Sequence, residues 1–574
     1  MIKKVYLGQI PKDFNLKKDI AFGPMCFAGK ENLIEGWEKI KFDDDPFENI
    51  DLCSKSELLC QKESLYFLDL LSKKFNKKYN LNYSNNFWKI ILFPWIPYIV
   101  SFAYEKQLRV ENFIKKYKNK DLHILLIKDN INWSFENCLD FMQRGLKNPI
   151  FNEWILSRFF ESNLPKKWTY EYLDKSSKVE YYKDPQKKIT SYFPFLKFLN
   201  GFNRVFEVYG FRFTDLIIFN LILGLKKPLE KPDEFIGIKN SIKSINWLYN
   251  IEKLFEKTQT KFLKTLPKNL VKFKKIRYTK NKINLISASQ ITNTDNNLKI
   301  KFALKKEFGE KLFLVQHGGH NYGTSKFNSP ASLVEYNQNT FITWGWKEQE
   351  NYKGNFVNLP SPYLSKFINK HNSINNKIIL VGNYMNPFFY TFQGYPTSNQ
   401  ILKYRKNKIK FIKNLKKSLF DDLYYRPYKE SSFSYKDSSY IKLSFKEINT
   451  LDGDLHKQML KCRLLVIDHP GTTLLVALAA NVPLICFWEK NHFPFSNQSS
   501  ILYNELIENK IFFNNPYDAS NFLNKLKNIN QWWKNKKIQK LRLKFLSLHG
   551  NLNKKWRKVW IKYLKNMNIN ERKN

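Results

Sequence analysis

The segment LLVIDHPGTTLLVALAANVPLICFW, residues 464–488, carries the clearest structural signal in the chain. It predicts a buried strand over Leu464–Asp468, a helix over Leu474–Ala480 and a second strand over Val482–Trp488. Asn481 suits the left-handed end of that helix, because asparagine enters this backbone conformation more readily than most residues. A strand, a short helix and a strand in this order indicate a parallel βαβ unit, since parallel neighbours need a crossover connection.

The same alternation occurs N-terminal to this unit. Apolar runs predict strands at Ile283–Ser287, Leu312–Val315 and Thr340–Thr343, with a helix at Asn297–Phe308. A further strand is predicted at Lys377–Val381. Alternating strands and helices are typical of parallel sheets covered by helices on both faces. We therefore predict an α/β protein with two Rossmann-like domains and helical insertions in its N-terminal half.

The domain boundaries are placed where prolines and polar residues interrupt the alternation. The candidate linker is 358–376, which holds two prolines and then a polar run. We predict an N-terminal Rossmann-like domain over 1–370, with a helical insertion at about 130–280, and a C-terminal Rossmann-like domain over 371–545. Residues 546–574 are predicted to form a basic helix or tail.

Composition favours a folded protein that meets anionic partners. The chain has 574 residues, of which 43% are hydrophobic, so it can build more than one core. Its formal net charge of +45 indicates either anionic partners or a lysine-rich drift of composition. Because the basic residues are spread along the whole length, nucleic acid is not an expected partner. A basic surface does suit phosphorylated substrates handled beside an anionic bilayer.

The cysteines and the N-terminus indicate a cytoplasmic protein. The six cysteines form no CxxC pair and have no histidine at zinc spacing, so we expect reduced, mostly buried thiols. The first residues, Met1–Gly8, lack the apolar core of a signal peptide. The apolar segment Phe87–Tyr104 has the length of a marginal membrane span, yet Lys89 and two prolines favour a buried helix-loop-helix element. Any contact with the inner face of the cytoplasmic membrane is therefore expected to be peripheral.

The segment His469–Thr473 is a candidate phosphate site, because it joins a predicted buried strand to a helix. Backbone N–H groups at a helix start are unpaired and carry partial positive charge, which suits phosphate. Gly471 lets the backbone approach a ligand closely, and the hydroxyls of Thr472 and Thr473 add donors. In open α/β sheets ligands bind at this edge. The alternative is an ordinary turn with a threonine helix cap.

A second loop, QHGGHNYG at 316–323, combines two histidines with three glycines directly after a predicted strand. Its histidines, His317 and His320, can take a proton from an acceptor hydroxyl, or bind phosphate when charged. Metal binding by both is the less favoured alternative, because no nearby carboxylate or cysteine completes a ligand set. A purely structural turn is the other alternative, since glycine permits the torsions of a tight loop. Three residues are expected to support the loop: Gln316, Gly318 and Gly319.

Three further residues are candidates at the ends of predicted strands in the C-terminal half. Arg426 stands beside a proline-fixed turn, where a guanidinium can clamp a phosphate bidentately; an ordinary surface arginine is the alternative. Gly382 directly follows the strand Lys377–Val381. Trp488 ends the strand after the helix, where it can stack on a base or sugar, or close the core. We predict that all three line the ligand-binding edge of the C-terminal sheet.

Four stretches together resemble a bacterial family of transferases of surface polysaccharide (O-antigen-type) biosynthesis: Leu81–Trp95, Gln316–Gly323, Phe341–Trp346 and Asp468–Trp488. The resemblance implies a GT-B-like fold, in which two Rossmann-like domains face each other across a cleft. It also implies an acceptor on the N-terminal domain and a nucleotide-sugar donor mainly on the C-terminal domain. A looser resemblance to polyol-phosphate and capsule transferases implies that a His-Gly loop faces the donor phosphates.

One position departs from the pattern of this family. Relatives usually carry glutamate in the helix after the two threonines, where GT-B enzymes often hold the donor ribose, whereas this chain has Val476. The difference indicates another way of holding the ribose, another donor, or a loss of activity.

The combined expectation is a metal-independent glycosyltransferase without a cofactor. It would move a sugar from a nucleotide-activated donor to a cell-surface polysaccharide or its lipid-linked precursor. In this interpretation His317 is the general base or a phosphate ligand, His320 stands beside it, and Arg426 neutralises charge on the leaving group. The alternatives are a polyol-phosphate transferase on the same fold and a non-enzymatic protein that binds nucleic acid or membrane surfaces.

Overall fold

The structure is a computed structural model. It describes residues 2–43, 45–129, 133, 135, 138–175, 205, 208–224, 233–237, 272–275, 284–288, 296–319, 322–328, 332–392, 396, 399–428, 430 and 433–573. His320 and most of the helical insertion predicted at about 130–280 lie outside the described residues.

The N-terminal part of the chain forms a parallel sheet with helices beside it. Its strands are Lys3–Tyr6 (β1), Asp19–Ala21 (β2), Leu122–Ile127 (β3) and Thr169–Leu173 (β4). They pair in the order β2-β1-β3-β4, all parallel. Its helices are Ile50–Tyr79 (α1), Asn85–Leu92 (α2), Ile96–Tyr117 (α3), Cys138–Asp140 (α4), which continues into the π-helical turn Phe141–Leu146, and Pro149–Asn163 (α5).

The apolar segment Phe87–Tyr104 forms the helix pair α2 and α3, as the prediction of a helix-loop-helix element requires. Its apolar side chains are buried inside the protein, and Phe87, Trp88 and Phe93 are completely covered. Among the described residues, no single helix has the length and apolar composition to cross a membrane. Taken together, α2 and α3 reach that length and composition, with a bend of 62° between them.

A second parallel sheet follows in the chain. After the helix Phe213–Leu223 (α6) comes an antiparallel pair, Asp233–Gly237 (β5) and Lys272–Lys275 (β6). The sheet strands are Asn284–Ala288 (β7), Lys311–Val315 (β8), Thr340–Thr343 (β9) and Phe356–Asn358 (β10). They are parallel in the order β10-β9-β8-β7, with the helices Asn296–Glu307 (α7) and Ser332–Glu335 (α8) between them in the chain. The parallel strands within 1–370 are thus divided between two sheets, and the domain boundaries themselves stay a prediction.

The third sheet has six parallel strands. They are Ile378–Val381 (β11), Leu423–Arg426 (β12), Asn449–Thr450 (β13), Leu464–Ile467 (β14), Leu484–Phe487 (β15) and Phe512–Phe513 (β16). Their order is β13-β12-β11-β14-β15-β16, so β11 and β14 are central and fully buried. The helices of this part are Gln400–Lys413 (α9), Lys417–Asp421 (α10), Asp437–Ser444 (α11), Leu455–Met459 (α12), Thr472–Ala480 (α13), Asn497–Glu508 (α14), Pro516–Lys525 (α15), Ile529–Trp533 (α16), Lys536–His549 (α17) and Trp556–Lys573 (α18).

The βαβ unit predicted at 464–488 is observed as β14, α13 and β15, and the prediction of an α/β fold with parallel sheets is confirmed. Asn481 ends α13 in the left-handed conformation, with a φ of 65°. Trp533 holds this turn, because its Nε1 donates to Asn481 Oδ1 at 2.8 Å. The helix starts at Thr472, two residues before the predicted start, so both threonines belong to its first turn.

The chain ends by returning to the second sheet. Trp556 and Trp560 of α18 are buried in one cluster with Ile286 of β7 and Val315 of β8. Trp560 Nε1 also donates to the Pro360 carbonyl at 2.9 Å. The basic C-terminal segment therefore has an apolar face that covers the second sheet and a polar face that it leaves exposed.

Candidate active site

The loop Gln316–Gly319 leaves the carboxyl end of β8 and is held by the side chain of Gln316. The Gln316 amide oxygen accepts hydrogen bonds from the Trp344 backbone N–H at 2.9 Å and from Trp346 Nε1 at 2.7 Å. Its Nε2 donates to the Gly318 carbonyl at 2.9 Å. Gly318 has a φ of 70°, which glycine adopts without a steric penalty. Buried hydrogen bonds thus fix the loop before any ligand binds.

His317 is the first residue of a chain of hydrogen bonds that ends at a buried carboxylate. Its Nδ1 lies 3.0 Å from the Tyr322 hydroxyl, which in turn donates to Glu335 Oε2 at 3.0 Å. Burial lowers the pKa of His317 to about 3, so its ring is neutral near pH 7. Burial raises the pKa of Glu335 to about 7, although the hydrogen bond from Tyr322 opposes this shift.

The direction of these hydrogen bonds assigns the proton on His317. An ionised Glu335 only accepts, so Tyr322 gives it the hydroxyl proton and accepts from His317 Nδ1–H. This tautomer leaves the lone pair of His317 on Nε2, which is the arrangement that a general base needs. Tyr322 and Glu335 therefore act as positioning residues for His317.

On the third sheet, Asp468 and His469 follow the carboxyl end of β14. His469 Nδ1 lies 2.8 Å from Asp468 Oδ1, and Asp468 Oδ2 lies 3.4 Å from the buried ammonium of Lys408. Lys408 also forms an ion pair with Asp437. Burial by itself raises the pKa of Asp468, but the charge of Lys408 and the hydrogen bond from His469 bring it below its ordinary value. Asp468 is thus held as a carboxylate and fixes the ring of His469.

The two loops are in direct contact. The Gly319 N–H donates to Thr472 Oγ1 at 2.9 Å. A Cβ atom on Gly318 would lie 3.0 Å from Thr472 Oγ1, and one on Gly319 would lie 2.7 Å from Leu475 Cδ1. Glycine at both positions therefore allows the loop after β8 to meet the start of α13, and the carboxyl ends of two sheets share one site.

The start of α13 faces this contact. Gly471 is the residue before the helix, has an extended backbone and supplies no side-chain cap. Thr472 and Thr473 are half-buried in the first turn. Because the first N–H groups of a helix have no partner within it, this turn can receive a phosphate.

Gly382 lies in the same sheet but is packed against a side chain. A Cβ atom there would lie 2.3 Å from the Tyr425 hydroxyl oxygen. That hydroxyl is buried and donates to Asp437 Oδ2 at 2.6 Å, so it is not free to move away. Packing against Tyr425 therefore explains why residue 382 is a glycine. Its place at the donor-binding edge of the sheet stays a prediction.

The variant Gly382→Ala should therefore lower the free energy of unfolding by about 1 to 3 kcal/mol, because the extra methyl group overfills a well-packed contact. The matched control is Gly471→Ala, whose Cβ would meet His469 at an ordinary 3.5 Å. Hydrogen exchange of the amides of β11 and β12 in both variants checks this, because a chain with several sheets need not unfold in two states. Equal stability of Gly382→Ala and Gly471→Ala would contradict the packing role of Gly382.

Arg426 and Trp488 take different positions at this edge. Arg426 is half-buried at the end of β12, where its Nη2 donates to the Gly453 carbonyl at 2.8 Å and its Nη1 to the Pro427 carbonyl at 3.1 Å. Trp488 is 2% exposed and packs against Phe493, Tyr503 and other aromatic rings. Its ring closes the core.

Two other predicted features bear on donor and metal binding. Val476 is completely buried in α13. The metal alternative needs His320, which lies outside the described residues. Within the part of the chain that the structure describes, His, Cys, Asp and Glu side chains form no group of three that could hold a metal ion. Metal independence stays a prediction.

Sequence reasoning missed the residues that orient His317 and His469. Tyr322 lies inside the loop 316–323, and its closeness to His317 in the sequence was the only indication of its role. Glu335 comes from the short helix α8, and Lys408 is one of many lysines in α9, so neither had a local signal. Only their burial distinguishes them from ordinary surface charges.

The chain matches the family described as LIC12162 family transferase over residues 3–564. It therefore belongs to this family of transferases, and the prediction of a transferase family is confirmed. No curated protein sequence matches the chain.

Two solved structures are similar to parts of the chain. The wall teichoic acid polymerase TagF has 11% identity and a TM-score of 0.31, with 51% of this chain and 82% of TagF covered. The pneumococcal O-GlcNAc transferase GtfA has 13% identity and a TM-score of 0.28, with 46% of this chain and 55% of GtfA covered.

Proposed function

We propose that this chain is a GT-B-type glycosyltransferase that moves a sugar from a nucleotide-activated donor to a cell-surface polysaccharide or its lipid-linked precursor. The observation that carries the proposal is the 2.9 Å hydrogen bond from the Gly319 N–H to Thr472 Oγ1. It joins a loop with a histidine proton acceptor to a helix start that suits phosphate. Both come from carboxyl ends of parallel strands, where α/β enzymes bind ligands. Membership of a transferase family supports group transfer as the chemistry.

In the proposed reaction His317 Nε2 takes the proton of the acceptor hydroxyl, whose oxygen forms the new bond to the sugar. The bond between the sugar and the nucleotide phosphate breaks, and the phosphate leaves with the electron pair. The N–H groups and threonine hydroxyls at the start of α13 receive the developing negative charge, and Arg426 adds a positive charge. These interactions strengthen as the charge develops, so they contribute to kcat. The donor is a co-substrate, and the proposal involves no further cofactor.

A panel of activated donors tests the proposal. The purified chain is screened by thermal shift against CMP-, UDP-, GDP- and dTDP-linked sugars and CDP-linked polyols. A donor that binds the native state should raise Tm, and it should then be hydrolysed or transferred with and without EDTA. If no donor binds or reacts, the proposal is wrong. Reaction of CDP-polyols alone would instead assign polyol-phosphate transfer.

The pH dependence of the reaction should follow Glu335. Its ionised form holds His317 in the basic tautomer, so kcat/KM should rise with pH through an apparent pKa of about 7. The folded-state pKa lies above the ordinary value of 4.5, so Glu335 contributes stability that is complete below 4.5 and is lost as pH rises through about 7. The site therefore works in the ionised, less stable state. A pH–rate profile checks this: in Glu335→Gln the rise of kcat/KM near pH 7 should be absent. A profile equal to that of the wild type would contradict the role of Glu335.

A further inference from the structure

The helix α6 exposes large apolar side chains on the surface. Phe213 is 56% exposed and Leu221 is 61% exposed, and Ile217 and Ile218 lie between them. The spacing of Phe213, Ile217 and Leu221 by four residues places them on one face. The only charged residue of α6, Asp215, is buried instead. A contiguous apolar patch of this kind usually marks an interaction surface.

The basic helix α18 packs beside α6 and runs in the same direction. Near the starts of both helices, Arg557 Nε donates to Asp215 Oδ1 at 2.6 Å. Near their ends, Asn568 Nδ2 donates to the Ile222 carbonyl at 3.1 Å. The rings of Trp560 and Phe219 stack between them. The two helices therefore form one packed unit, the α6–α18 pair.

The exposed face of α18 is a stripe of lysines. Lys558, Lys562 and Lys565 are all exposed and follow helical spacing, and two further exposed lysines, Lys554 and Lys555, precede the helix. The apolar face of α6 thus neighbours a positively charged face, and the sequence of α18 contains a single acidic residue, Glu571.

We propose that the α6–α18 pair binds the surface of an anionic lipid bilayer. The apolar side chains of α6 enter the boundary between headgroups and acyl chains, while the lysines of α18 contact lipid phosphates. A nucleic acid would satisfy the lysines but offers no apolar partner for Ile217 and Leu221. A second copy across a two-fold axis would oppose the same lysine stripes, which repel. The inference does not depend on the proposed chemistry, because it needs no donor.

Vesicle co-sedimentation of the full chain tests the surface. The wild type should bind vesicles that contain phosphatidylglycerol and not vesicles of phosphatidylcholine alone. Charge reversal of Lys558, Lys562 and Lys565 to glutamate should weaken binding at least about tenfold, because each lysine at an anionic surface contributes about fivefold. The matched control reverses Lys536, Lys537 and Lys540, three exposed lysines of α17, and should change binding less than about threefold. Equal losses in both triple variants would overturn the proposal.

An insertion measurement separates lipid contact from simple charge attraction. All six native cysteines are buried, so a dye directed at thiols should label one introduced at the surface. An environment-sensitive dye on Leu221→Cys should shift to the blue with anionic vesicles, whereas the same dye on Leu443→Cys, 75% exposed in α11, should not. Equal shifts at both positions, or none at Leu221→Cys, would overturn insertion. Concentration-dependent dimers that Ile217→Asp abolishes, without vesicle binding by the wild type, would assign the surface to a second copy.

Discussion

Replacing His317 with alanine is expected to lower kcat by about 10²-fold, the lower end of what a general base contributes, because a base with a pKa of about 3 accepts a proton less readily than one that titrates near pH 7. His317 Nε2 is the proton acceptor in the proposed reaction, and its neutral ring is favoured by the burial that lowers its pKa to about 3. The proposed phosphate site lies on the other loop, His469–Thr473, so the affinity for the donor should change little. Steady-state kinetics together with thermal shift by the bound donor would measure both quantities.

The positioning residues give a sharper version of this experiment. Tyr322→Phe removes the hydroxyl that lies 3.0 Å from His317 Nδ1, so it should lower kcat less than His317→Ala does. The double variant should be no slower than His317→Ala alone, because residues that act as one unit are not additive. If the two losses of kcat multiply in the double variant, Tyr322 does not act through His317.

The control variant is His456→Ala, which removes a half-buried histidine of α12 that packs against Phe367. It should leave kcat near the wild-type value. If His317→Ala and His456→Ala both keep full activity on a confirmed donor, His317 is not the base.

Replacing Lys408 with methionine is expected to destabilise the third sheet by about 3 kcal/mol, because removing one partner leaves a buried charge uncompensated. The side chain of Lys408 is completely buried, and Asp468 and Asp437 beside it are nearly so. Asp437 keeps a charged partner, Arg405, at 3.6 Å, whereas Asp468 would retain His469 and the hydroxyl of Tyr404. Asp468 should therefore carry most of the cost, and its pKa should rise.

The neighbouring variant Lys403→Met is the matched control. Lys403 lies on the same helix, α9, and pairs with Glu489 at 2.5 Å, but its side chain is 62% exposed. An exposed ion pair contributes at most about 1 kcal/mol, so this variant should be close to neutral. Because a chain with several sheets need not unfold in two states, hydrogen exchange of the amides of β11 and β14 is the suitable measurement.

Acid conditions should reduce the difference between Lys408→Met and the wild type. In the wild type, the lowered pKa of Asp468 contributes stability above the ordinary carboxyl pKa, which is lost as pH falls through the folded-state value. In the variant, protonation of Asp468 removes the unpaired charge. A destabilisation that is equal at neutral and acid pH would contradict the role of Lys408 as the partner of Asp468.

The strands and loops that carry the site could be predicted because their signals are local. Leu312–Val315 and Leu464–Asp468 are short apolar runs, and strands of parallel sheets are apolar on both faces. The loops after them could be placed at the ligand-binding edge from strand direction alone. The left-handed Asn481 was predictable for the same reason, since its backbone preference is its own.

The orienting groups could not be predicted, because nothing local marks them. Lys403 and Lys408 have the same side chain on the same helix, yet one is exposed and the other fully buried. Gly382 was predicted from its place after a strand, while its closest contact is the Tyr425 hydroxyl of the neighbouring strand. Trp488 was predicted as an edge residue, and the aromatic rings around it come from later segments of the chain.

Local sequence patterns are sufficient to predict the α/β class, the βαβ unit at 464–488 and the two loops that carry His317 and Thr472. Periodicity, glycine and asparagine positions specify these features through short-range sterics and hydrogen bonding. The tertiary structure was needed to show that the parallel strands before 370 divide between two sheets, and that Gly319 contacts Thr472. It was also needed to show that Glu335 and Lys408 are buried behind His317 and His469. These features depend on which distant segments pack together, and such packing produces no periodic pattern in the sequence.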